Sequence, residues 1–109
     1  MKRKWITKEG NRVLTLFFCG WGMDERTVQH VGGIGDLLLF YDYRDISGED
    51  APEVEGYESV RVVAWSMGVW AASVLLSRWN IPVSCRVAIN GTERPVDEYY
   101  GIHPKIYLL

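Results

Sequence analysis

Four apolar runs divide the chain: Val13–Phe18, Leu37–Tyr43, Val60–Trp65 and Cys85–Ile89. Their first residues lie 24, 23 and 25 positions apart. That interval holds one strand and a return crossover, the length of a βα unit. Most of the runs lack polar/apolar alternation, the pattern of strands covered on both faces in a parallel sheet. Between them, Met67–Trp79 is the strongest helix. Its polar members are Ser73, Ser77 and Arg78, and the two serines, four apart, leave a narrow polar stripe on a largely buried cylinder. Asn80 and Pro82 stop it. Asp24–Val31 predicts a shorter helix, capped by Asp24 and closed by Gly32-Gly33. Arg44–Ser59 is polar and holds Gly48, Pro52 and Gly56, so it predicts a loop with at most one or two helical turns. Lys4–Thr7 and Arg12–Thr15 flank Lys8-Glu9-Gly10-Asn11, which predicts an N-terminal hairpin. The tail, Val96–Leu109, has no clear period.

Composition narrows the possibilities. The 109 residues carry 12 Lys+Arg against 14 Asp+Glu, a net charge of −2, with 48% hydrophobic residues. One compact domain is expected, with no basic excess for nucleic acid or a membrane surface. No run approaches the roughly 18 apolar residues of a membrane span. Cys19 and Cys85 both sit in apolar runs, as buried free thiols of a reducing compartment do. Lys8, Glu9 and Arg12 interrupt any signal-peptide core after Met1-Lys2-Arg3-Lys4, so no targeting segment and a cytoplasmic location are expected.

The chemistry concentrates at Ala64-Trp65-Ser66-Met67-Gly68. This stretch follows a predicted buried strand and opens a predicted buried helix, the setting of a nucleophile elbow, G-x-S-x-G, with Ala in the first Gly position. A serine on so sharp a turn needs small neighbours two residues away on each side, and Ala64 and Gly68 supply them. The turn would lift Ser66 to the carboxyl edge of the sheet, where the helix N-terminus favours developing negative charge. The backbone N–H of Met67 would face the oxyanion. The plainer alternative is a serine that merely caps the helix. Cys19-Gly20-Trp21-Gly22-Met23-Asp24 follows the first long strand, and in such hydrolases the loop at this place gives the second oxyanion N–H, here from Trp21. The alternative there is a tight turn with a packing tryptophan.

Other features carry less. Gly32-Gly33-Ile34-Gly35 precedes a strand, the wrong order for a phosphate loop, and Asn90-Gly91-Thr92 is a sequon without meaning in the cytoplasm. No Cys/His spacing supports a metal, and no cofactor is expected. A serine nucleophile needs a base and an orienting acid. His30 precedes Ser66. His103 follows it by only 37 residues, early for the base, and reads better as a surface histidine. Asp97 is a weak candidate acid.

Leu16–Asp24, Phe40-Tyr41-Asp42-Tyr43, Val63–Ala72, Ala88–Thr92 with Pro95-Val96-Asp97, and Gly101-Ile102 together resemble the BioG-type pimeloyl-[acyl-carrier protein] methyl ester esterases of biotin synthesis. The resemblance implies an α/β fold of the α/β-hydrolase type: a mainly parallel sheet with an N-terminal hairpin, flanked by helices. It implies Ser66 as nucleophile, Trp21 and Met67 as oxyanion donors, and acyl carrier protein bearing the substrate as partner. Such esterases are about twice as long. Residues 1–109 would then be the N-terminal half of the domain, with the lid, last strands and catalytic His missing. A sheet ending at the fourth parallel strand would expose an edge, so a C-terminal companion chain or a homo-oligomer is expected. Lys2, Arg3, Lys4 and Arg78 are carrier-docking candidates by sign of charge. Two other functions compete: a non-catalytic remnant or interaction module of the same fold, and a related acyl hydrolase or thioesterase.

Overall fold

The computed structural model describes residues 1–20 and 35–89, and the backbone of 106–108. Its elements are β1 (Lys2–Thr7), β2 (Val13–Phe18), β3 (Asp36–Tyr41), β4 (Ser59–Trp65), α1 (Met67–Arg78), β5 (Cys85–Ile89) and β6 (Ile106–Leu108). They form one six-stranded sheet in the order β1-β3-β2-β4-β5-β6. β3, β2, β4 and β5 are mutually parallel, while β1 and β6 run antiparallel at the two edges. Two of the four runs, β2 and β5, have the limits the apolar pattern predicts. β3 ends earlier, at Tyr41, because Asp42 takes a left-handed φ of 60° that breaks the strand.

The N-terminal hairpin is not formed. β1 pairs with β3, not with β2. The turn between β1 and β2 is tied across the start of β3: the Glu9 N–H and the Asn11 amide both donate to Asp36 Oδ1, at 2.9 and 2.7 Å. That tether carries β1 beyond β3. Charge agrees with the placement, since Lys2 and Arg3 belong at an edge, where they reach Asp42 (3.8 Å) and Glu49 (2.9 Å). The edge expected at β5 is covered by β6 along Val87, Ala88 and Ile89.

The two faces of the sheet differ. On one, Leu14, Leu16, Phe18, Leu38, Phe40, Val60, Val62, Ala64 and Ala88 pack with Val69, Ala71, Ala72 and Leu75 of α1. Phe18 and Phe40 are fully buried and stack at 4.6 Å, with Trp79 against both. The other face buries Phe17, Cys19, Leu37 and Leu39. Its cover does not extend along β4, where Arg61 and Trp65 are exposed, or over Cys85 of β5. The expectation of strands covered on both faces holds for β2 and β3 and fails for β4. It fails for Cys85 as well, which is a free but exposed thiol. Among the described residues α1 is the one helix. The helix predicted over 24–31 lies outside them. No described helix is long and apolar enough to cross a membrane.

Candidate active site

The parallel strands bring their carboxyl ends to one edge of the sheet, and the candidate chemistry sits there. β4 ends with Ala64 buried and Trp65 exposed. The chain then reverses at Ser66, whose φ of 53° and ψ of −118° lie where L-residues are rarely found. Such a conformation costs on the order of 1–3 kcal/mol and persists only where its surroundings impose it. Here they do. The Ser66 N–H donates to the Ile89 carbonyl at 3.0 Å, and the Ser66 carbonyl accepts from the Val69 N–H at 2.9 Å, closing the first turn of α1. One bond ties the turn to β5 and the other commits it to the helix.

Gly68 explains how α1 can start so abruptly. A Cβ at this position would stand 2.2 Å from the Phe18 carbonyl oxygen and 2.6 Å from that of Cys19. The helix therefore rests directly on the end of β2, and only glycine permits that approach. This is the requirement for small neighbours read from Ala64 and Gly68. The Ser66 side chain makes no capping hydrogen bond, so the plain helix-cap alternative does not describe it. The N–H groups of Met67 and Gly68, at the very start of α1, have no partner within the helix and carry partial positive charge. No acidic residue stands in that first turn. A half-buried serine thus stands at the start of a helix whose first amides suit an anion.

The end of β2 is anchored from β3. The Cys19 N–H donates to the Phe40 carbonyl at 2.9 Å. The Tyr43 hydroxyl lies 2.7 Å from the Cys19 carbonyl oxygen and 3.1 Å from that of Phe40, sharing its proton between them. Burial, with a smaller contribution from Cys19, pushes the Tyr43 phenol well above its usual range, so it stays protonated and donates to these carbonyls. Asp42, just before it, receives Arg44 Nε at 2.7 Å and a second bond from Nη2, with Lys2 at 3.8 Å. The Arg44 hydrogen bonds hold the Asp42 carboxyl below the usual range against its partial burial.

Of the site residues predicted from sequence, Ser66 and Met67 share this turn. Trp21 lies outside the described residues, as do Asp24, His30, Asp97 and His103. Cys19 is buried in the sheet and presents no open thiol. Among the described residues no group of His, Cys, Asp or Glu could hold a metal ion. Sequence reasoning passed over Asp42 and Tyr43 as individual residues. Their signal was an Asp, which tolerates left-handed backbone, directly after an apolar run, with a tyrosine next to it.

A mainly parallel sheet with a helix leaving directly from a strained serine turn defines an α/β protein. The chain belongs to the BioG family: the family model described as pimeloyl-ACP methyl esterase BioG matches residues 1–108. A segment of the malonyl-[acyl-carrier protein] O-methyltransferase of Bacteroides fragilis (strain 638R) is 48% identical over 93 residues, which is 84% of this chain and 19% of that protein. An uncharacterized protein of Haemophilus influenzae is 37% identical over 109 residues, 98% of this chain and 48% of its own length. The crystal structure of BioG from Haemophilus influenzae superposes with a TM-score of 0.78 at 37% identity, over 94% of this chain and 47% of that one. The chain therefore spans about half the length of its Haemophilus relatives and a fifth of the Bacteroides one.

Proposed function

We propose that the chain carries the nucleophile half of a serine carboxylesterase that hydrolyses the methyl ester of pimeloyl-[acyl-carrier protein] in biotin synthesis. On this reading residues 1–109 are the first half of an α/β-hydrolase domain. Ser66 Oγ attacks the ester carbonyl carbon, and a base takes its proton. The carbonyl oxygen becomes an oxyanion held by the Met67 and Trp21 N–H groups. The tetrahedral intermediate collapses, methanol leaves with the proton returned by the base, and water then hydrolyses the acyl-serine. The base is a histidine supplied from beyond these residues, so the chain alone turns over slowly, if at all. Removing one member of such a triad leaves only the rate that oxyanion binding supports.

One observation carries the reading: a strand buried on one face and the helix packed on that face meet at a serine held at φ 53°, with its hydroxyl unused as a cap. A family described by a methyl esterase activity supports it, and a relative named as a malonyl-[acyl-carrier protein] O-methyltransferase agrees with a carrier-bound substrate. The test is methanol release from pimeloyl-[acyl-carrier protein] methyl ester by the full chain. It is run alone and with a polypeptide matching the other half of its relatives. Ser66→Ala should lower the rate on the order of 10⁴-fold or more; an equal rate in the variant contradicts the reading. A thioester assayed in parallel separates a thioesterase from a methyl esterase. Because the chain spans 48% of one relative, a second reading stands beside the first: a non-catalytic remnant or interaction module, which gives no turnover in any combination.

A further inference from the structure

Two backbone segments and one side chain meet at one oxygen atom. The Cys19 carbonyl ends β2, lies 2.6 Å from where a Cβ of Gly68 would be, and accepts from Tyr43 of the β3 exit at 2.7 Å. A carbonyl oxygen crowding the first turn of a helix competes with any other anion for the partial positive charge of those amides. A donor that holds it in place fixes both the spacing and the local field. We propose that Tyr43 is a positioning residue for the Ser66 turn: its hydroxyl pins the Cys19 carbonyl against Gly68 and so sets the gap between the end of β2 and the first turn of α1. The strained residue before it supports the assignment. Asp42, at φ 60°, is held by Arg44 and Lys2, and this conformation sends Tyr43 back toward β2 instead of onward along β3. The inference rests on the catalytic reading of Ser66 and adds a residue to it.

Capture of phenylboronic acid tests the inference without requiring a histidine. The boron accepts an electron pair from Ser66 Oγ, the O–H bond breaks, and its proton passes to the buffer. The product is a tetrahedral boronate anion beside the first-turn amides, and ¹¹B resonance measures its dissociation constant. The full chain should bind and Ser66→Ala should not. Tyr43→Phe should weaken capture about fivefold or more. Tyr57→Phe removes the same hydroxyl at the opposite end of the sheet, where it donates to Asp36, and should leave capture within twofold while still lowering stability. Gly68→Ala, which drives a methyl group at the same carbonyl, should weaken capture as Tyr43→Phe does, and decides the matter if that variant does not fold. Capture lost in Ser66→Ala but equal in Tyr43→Phe or, where that variant does not fold, in Gly68→Ala overturns the positioning role alone. A Tyr57→Phe variant that weakens capture as much as Tyr43→Phe also overturns it. Equal capture in Ser66→Ala, or none by the unaltered chain, overturns the catalytic reading and the inference with it.

Discussion

The two ends of the parallel strands treat their polar groups in opposite ways. At the amino end, Asp36 is buried, and its carboxylate collects the Glu9 N–H, the Asn11 amide and the Tyr57 hydroxyl. These bonds, that of Tyr57 foremost, hold the Asp36 carboxyl at about 2 against the opposing effect of burial. At the carboxyl end, Asp42 and Ser66 are the non-glycine residues with positive φ among those described, and the Ser66 hydroxyl is left without a cap partner. Each end also has a glycine pressed on β2: Gly35 against the Val13 carbonyl and Gly68 against those of Phe18 and Cys19. Packing is equally tight at both ends. They differ in where satisfied polar bonds and backbone strain are placed.

The largest effects should come from the two glycines. Gly35→Ala and Gly68→Ala each force a methyl group into a backbone oxygen and should each cost about 1–3 kcal/mol or more in urea denaturation. Gly35→Ala adds the strain of its φ of 101°. The comparison breaks if Gly35→Ala also changes boronate capture, because only the carboxyl end is tied to Ser66. Next comes Tyr57→Phe, which removes one hydrogen bond to a charged acceptor and should cost about 1.5–3 kcal/mol.

The same hub sets acid stability. Asp36 has a folded pKa of about 2 against roughly 3.9 in an unfolded chain. The folded state therefore binds fewer protons, so its stabilisation is complete above about pH 4 and is lost as pH falls toward 2. Tyr57 acts in the opposite sense. Burial and its bond to Asp36 raise its phenol to about 12, so its contribution is present below its ordinary pKa near 10 and is lost as pH rises through about 12. Denaturation midpoints should fall in the unaltered chain as pH drops from 5 to 2 and stay flatter in Asp36→Asn. The smallest effect sharpens the contrast most. Ser66→Gly relieves the turn and should raise stability by about 1 kcal/mol. A loss of stability there would mean that Ser66 is not strained.

Much of this arrangement was legible in the residues. The apolar runs located the four parallel strands because a strand shielded on both faces needs no alternation, and β2 and β3 are such strands. The same rule misread β4, whose alternation of buried Val60, Val62 and Ala64 with Arg61 and Trp65 was masked by apolar residues on its open face. The hairpin failed because turn chemistry at Gly10-Asn11 describes a reversal, not which strand lies beside which. That choice was made 25 residues away in sequence, by the Asp36 carboxylate binding Asn11. Ser66 was legible because the turn demands small residues on either side. Tyr43 was not, because its hydrogen bond reaches the end of β2, 24 residues away in sequence.

The central claim is that the strain at position 66 serves a reactive hydroxyl. It is tested most directly by exposing the chain to an alkyl fluorophosphonate at mildly alkaline pH, where hydroxide can take the Ser66 proton, and mapping the adduct by peptide mass spectrometry. The account predicts one label per chain, on Ser66, and none in Ser66→Gly. A label on another residue, or one retained in Ser66→Gly, would contradict it.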